Sequence, residues 1–198
     1  NAALFAKAAA VALTESLSHA VPVNQVGVGQ AKIEKLASSR RVDENGKVSH
    51  RRYSRCTDPI LQALPDGQID PWLKTISFWN DTQPLLALSV YACHPMSYYG
   101  GGEISGDFPN MARKRRDASE PRLFQIYASG CCGDVTAGKY NDGSPEARQQ
   151  LTERMYAALV ASDQTLVPKP IERASWTTAP IVPPCSTQLV TDELAASV

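Results

Sequence analysis

From residue 85 onward the sequence runs strand, loop, helix, strand, loop, helix, and this order restricts the fold more than any other feature. Residues 85–93 form an apolar run too short for a buried helix and bounded by turn signals, which predicts an interior strand. Residues 108–117 read as a helix whose basic end, Arg113 to Arg116, suits the negative pole of the helix dipole. A second short apolar run covers residues 123–128, and a Gly-rich loop fills 129–144. Ser144 as N-cap, with Pro145 in the first turn, opens a helix expected to reach about Ser162. If the two strands are parallel, the crossover is right-handed and both end on one edge of the sheet. Ligands of open α/β sheets bind beyond those carboxyl ends. The expected fold is therefore α/β, with mixed α+β as the alternative. Its β-α-β-α core would carry the functional loops at the C-terminal ends of the strands.

The rest of the chain is less regular. Residues 2–19 are rich in Ala and Leu and lack Gly and Pro, which predicts a helix. Val21, Val23, Val26 and Val28 suggest extended chain, with Gly27 and Gly29 weakening it or marking a bulge. Residues 38–68 form a long polar excursion with turn signals at Asn45-Gly46 and Asp66-Gly67. Residues 73–79 alternate as a strand, and a turn at 80–83 joins them to the next strand as a hairpin. Residues 168–198 begin as an extended Pro-rich tail. The 198 residues fit a single domain; a start in mid-helix at Asn1 and an end at Val198 in what looks like another helix start suggest part of a longer one.

Twenty basic residues balance twenty acidic ones, so no global field draws the chain to nucleic acid. No apolar run approaches the ~20 residues of a membrane-spanning helix. The cluster Arg40, Arg41, Arg51, Arg52 and Arg55 is a local exception and is expected to be a solvated loop. Five cysteines without regular spacing argue against a disulfide framework, and all five are expected to be small buried hydrophobes.

Of the three histidines, His94 is singled out: it ends a strand and is stiffened by Pro95. An imidazole held there suits a zinc ligand or a general base. The loop Gly130-Cys131-Cys132-Gly133-Asp134-Val135-Thr136 sets one carboxylate and one hydroxyl among small residues. Its glycines allow close backbone approach to a ligand and leave N–H groups for an oxyanion; the alternative is a tight loop in which Asp134 bonds its own backbone. Thr136, Asp134 and Gly133 are the candidate catalytic residues. Asp107 either orients His94 through a hydrogen bond or caps the following helix.

Together, residues 91–95, 104–109 and 130–136, with the run at 137–146, resemble the neutral/alkaline, non-lysosomal ceramidase family. The resemblance extends from about Val26 to about Leu159. It implies hydrolysis of the amide bond of a ceramide-like lipid by zinc-bound water, with His94 as one zinc ligand. It implies that Thr136 stands where that family has its catalytic serine, and that Arg40 contacts substrate. The family's other zinc ligands, a second His and a Glu and a Tyr, have no matching motifs here. The resemblance also points to an extracytoplasmic location. The reading from another class is a noncatalytic lipid- or carbohydrate-binding relative without a metal.

Overall fold

The computed structural model describes residues 2–44, 47–101 and 104–180. In chain order the elements are α1 (Ala2–Leu17), β1 (Gln25–Lys32), β2 (Ser38–Ser39), β3 (Arg41–Glu44), β4 (Lys47–Arg51), α2 (Pro59–Ala63), β5 (Trp72–Asn80), β6 (Gln83–Tyr91), α3 (Asp107–Ser119), β7 (Phe124–Ser129), β8 (Val135–Thr136), α4 (Pro145–Gln164) and β9 (Lys169–Pro170). The main sheet has the order β7-β6-β5-β1-β9. β6 and β7 are parallel, the pairing on which the expected crossover depended, whereas β1, β5, β6 and β9 pair antiparallel. The fold is thus of the mixed α/β kind, and both parallel strands end on one edge.

α3 and α4 pack together and cover one face of this sheet. Phe108 and Ala112 of α3 and Leu151 and Met155 of α4 are fully buried. Each large side chain among them contributes roughly 1.5–3 kcal/mol by leaving water. α4 starts as the sequence predicts: the Ser144 hydroxyl accepts from the Ala147 N–H at 3.1 Å, and Pro145 occupies the first turn. Its far end is tied to β1 by Thr165, whose Oγ1 donates to the Ser162 carbonyl and accepts from the Gln30 N–H.

The sheet face beneath the helices is lined by small and hydroxylated residues. Ser162 Oγ donates to Thr75 Oγ1 at 2.8 Å, and Thr75 Oγ1 lies 2.9 Å from Ser89 Oγ. Gly29 marks no bulge, because β1 and β5 pair without a shift of register. It is a point of close approach instead: a Cβ there would lie 2.5 Å from the Ser162 carbonyl oxygen. Leu73 and Tyr91 are buried on this face too, whereas Val28, Ile76, Phe78, Leu86, Leu88, Phe124 and Ile126 point the other way, where no described helix covers them. Val28 is 70% exposed and Phe124 62% exposed. Helix α1 forms as predicted, yet buries no residue at all.

Residues 38–68 are more ordered than their polarity suggested. β3 and β4 pair as a hairpin, Glu44 opposite Lys47; the Asn45-Gly46 turn lies outside the described residues. Arg52, expected in a solvated loop, is 1% exposed. Its guanidinium donates to the carbonyls of Ser39, Leu61, Leu64, Pro65 and Asp66, at 2.7–3.4 Å. A fork of N–H donors meets a cluster of backbone acceptors, of which the Asp66 carbonyl also accepts from the Ser39 N–H. The cysteines also divide: Cys56 and Cys93 are buried as expected, Cys132 is intermediate and Cys131 is exposed. Cys185 falls outside the described residues. The tail is extended at Lys169–Pro170, where it adds to the edge of β1.

Candidate active-site cleft

The two loops that follow β6 and β7 meet, as the parallel strand order demands. The His94 N–H donates to the Val135 carbonyl at 3.0 Å, and His94 bridges Thr136 in parallel fashion. β8 pairs on its other side with β2, so that Ser38 faces Thr136 and Ser39 faces Val135. Three segments remote in sequence thus form one small pleated patch at the strand ends.

Within that patch, His94 Nδ1 lies 2.6 Å from the carbonyl oxygen of Cys132 and 3.3 Å from that of Val135. A carbonyl only accepts, so Nδ1 carries the proton. In the neutral ring the free lone pair is then on Nε2, the arrangement found in histidines that bind a metal or take a proton. The half-buried side chain is held by the backbone of the very loop it faces.

The hydrogen bonds of Asp107 among the described residues go elsewhere than to His94. Its carboxylate accepts from the Ser97 hydroxyl in a short contact, from the Phe108 N–H at 2.7 Å and from the Tyr98 N–H at 3.2 Å. It ties residues 97–98 to the start of α3, and the Cys132 carbonyl orients His94 in its place. The N-cap position belongs to Gly106. Asp107 adopts a left-handed φ of 57°, a conformation that costs a non-glycine residue about 1–2 kcal/mol.

Asp134 bonds outward rather than to its own loop. Its carboxylate accepts from Ser39 Oγ at 2.6 Å and Arg41 Nε at 3.0 Å, and its carbonyl accepts from the Arg40 N–H at 2.7 Å. Partial burial opposes its charge, but the Ser39 hydroxyl and Arg41 guanidinium prevail and hold the carboxyl below the usual aspartate range. Gly133 is exposed, with open space where a Cβ would point. Thr136 is fully buried, its Oγ1 donating to the Tyr53 carbonyl at 3.4 Å and accepting from the Gly138 N–H at 3.1 Å. The hydroxyl is turned inward, beneath the cleft. Gly138 is what lets Tyr53 approach: a Cβ at Gly138 would sit 1.9 Å from the Tyr53 carbonyl oxygen.

Beside this patch is a cavity of about 470 Å³ whose lining includes Arg40, Tyr53, Ser54, Met96, Tyr98 and Asn141. Arg40 Nε is buried with no hydrogen-bond partner, and Nη2 reaches only the Met96 sulfur at 3.7 Å. Among the described residues no carboxylate pairs with it. Such a guanidinium is an open binding group for a carbonyl, carboxylate or phosphate oxygen. Asn141, absent from the candidates read from the sequence, is buried and fixes the opposite wall through the Ser54 carbonyl at 2.6 Å. Tyr98 is held by Arg148, 4.1 Å above its ring. Only the turn chemistry of Asn141-Asp142-Gly143-Ser144 hinted at the former, and nothing local pointed to the latter.

Among the described residues no three His, Cys, Asp or Glu side chains gather as a metal site would require. His94 Nε2 is a suitable single ligand, but the described residues do not supply the rest of a zinc coordination sphere.

No protein-family model and no curated protein matches the chain. Among solved structures, neutral ceramidase from Pseudomonas aeruginosa is similar at 15% identity and a TM-score of 0.45, over 73% of this chain and 24% of that one. A ceramidase complexed with C2 gives the same identity and TM-score, over 73% of this chain and 23% of that one. The chain spans about a quarter of the length of each structure it is similar to.

Proposed function

We propose that the chain belongs to a hydrolase acting on a linear amide, with N-acyl lipids of the ceramide type as the substrate class. The observation that carries this reading is His94, whose Nδ1 is committed to the Cys132 carbonyl while Nε2 is left with a lone pair at the strand ends. In amide hydrolysis water adds to the carbonyl carbon, the C–N bond breaks, and the amine leaves with a proton. Nε2 can accept the proton from water and return it to the departing nitrogen. Arg40 would hold a substrate oxygen in the adjoining cavity, and Gly133 would offer exposed backbone next to Cys132. Asp134 would act by holding the loop to residues 39–41. A direct part for the Thr136 hydroxyl requires the Tyr53 carbonyl to release it. Zinc at Nε2 is part of the proposal only with ligands beyond the described residues, and no step is assigned to it.

The test is release of fatty acid from an N-acyl amide by the purified full-length protein, with and without His94→Ala and with and without chelator. A fall of at least 100-fold in the variant is expected; undiminished turnover would refute the reading.

A second reading is a binding module without catalysis. The inward Thr136 hydroxyl and the occupied Asp134 carboxylate favour it. Saturable binding of an N-acyl amide that Arg40→Ala abolishes, with no turnover under any metal condition, would select it.

A further inference from the structure

Both faces of the main sheet carry large apolar side chains, although the helices cover only one: Leu73 and Tyr91 are buried on the covered face. The covered face carries the Ser162–Thr75–Ser89 hydroxyl chain and Gly29. The open face carries a second set of large apolar side chains, of which Ile76, Phe78, Leu86 and Leu88 are partly buried. The pairing register sets Val28, Ile76, Leu88 and Ile126 in one row across four strands, β1, β5, β6 and β7. Phe78, Leu86 and Phe124 lie in the next row. Val28, Phe124 and Ile126 are 70%, 62% and 37% exposed. An apolar patch this broad marks a surface that is covered in the working molecule.

The same chain carries a second uncovered apolar element. Helix α1 buries nothing, and Leu4, Phe5, Leu13 and Leu17 are 68–78% exposed. Its only charges are Lys7 and Glu15. A helix apolar around nearly its whole circumference is stable only when something packs on it. α1 leads into β1, one of the four strands that form the apolar row.

We propose that a second copy of the chain covers this face, with α1 of each copy laid across the open sheet of the other. The dimensions agree. Four strands at ~4.8 Å spacing, each contributing about six residues, give a platform of roughly 20 by 20 Å. A helix of 16 residues is ~24 Å long and spans it. Two-fold symmetry repeats the contact, which brings the buried area to the order of 1,200–2,000 Å², the size of stable interfaces. The centre of the platform holds no charge that would repel its own copy; Lys74, at its margin, is paired with Asp70. This inference is independent of the proposed hydrolysis.

Sedimentation equilibrium or light scattering on the full chain tests it, from about 1 to 50 µM. A dimer mass is expected. Val28→Lys with Ile126→Glu, at two exposed positions, should raise the dissociation constant at least 100-fold while leaving the circular dichroism spectrum unchanged. Removal of residues 1–17, of which Ala2–Leu17 bury nothing, should do the same. A monomer throughout the concentration range, or a dimer that survives both changes, would overturn the proposal. Co-sedimentation of a monomeric wild type with phosphatidylcholine vesicles would also overturn it and would assign the face to lipid.

Discussion

His94 Nδ1 sits 2.6 Å from the carbonyl oxygen of Cys132, a contact that spans 38 positions of sequence and sets the tautomer of the ring. Long-range nitrogen-15 spectra should therefore show Nδ1 protonated and Nε2 with the shift of an unprotonated ring nitrogen when the ring is neutral. The reverse pattern would mean that the lone pair faces the Cys132 carbonyl and that Nδ1 does not donate to it.

Arg52 organises the excursion between β1 and β5. Arg52→Met takes the guanidinium away from several backbone carbonyls, at a cost of about 3 kcal/mol in urea unfolding. Arg52→Lys should restore less than half of that, because one ammonium cannot reach acceptors spread around a planar fork. Equal stability of the lysine variant would show that charge alone suffices.

Asp134 makes stability depend on acid in a definite sense. Its folded-state pKa is lowered, so its contribution is complete above the unfolded value of about 3.9 and is lost as pH falls through the lower folded value. The stability difference between wild type and Asp134→Asn should be constant above about pH 5 and shrink below about pH 4. A difference that grows on acidification would contradict the hydrogen bonds from Ser39 and Arg41.

Gly29 permits α4 to ride directly on β1. Gly29→Ala drives a methyl group towards the Ser162 carbonyl, which belongs to the helix backbone and cannot swing aside. A loss of about 1–3 kcal/mol is expected from overpacking. Thermal unfolding that is unchanged would show that the helix can lift from the sheet freely.

Thiol chemistry should follow exposure. Brief alkylation of the native protein, mapped by mass spectrometry, is expected to mark Cys131 before Cys56 and Cys93. Burial pushes the Cys93 thiol far above its ordinary pKa, so it has almost no thiolate to react. Early labelling of Cys93 would mean that the strand end opens to solvent.

The half of the chain after residue 85 was legible because its signals are local. Apolar strands, a basic helix end and the Ser144-Pro145 start all act within a few residues, whereas the parallel pairing of β6 and β7 entered the sequence reading only as a condition. What escaped the sequence acts at a distance. Arg52 looks like any surface arginine until the carbonyls of residues 61–66 fold around it. Asp107 reads as a helix cap or as a partner for His94; its carboxylate accepts from the Phe108 N–H in the first turn of α3, and its contacts with Ser97 and Tyr98 became visible only in three dimensions. Arg40 was singled out by resemblance, whereas its unpartnered Nε became visible only in three dimensions. Alternation placed the strands but left open which of their two faces the helices would cover.

The pairing of Ser38 with Thr136 bridges 98 positions. Bringing such distant segments together costs chain entropy that nearby contacts must already have offset. The cleft is therefore a late product of folding: helices and the β5–β6 hairpin can gather while the site is still absent. Any change that slows the docking of residues 38–41 would yield molecules with nearly native secondary structure and no place to bind a substrate.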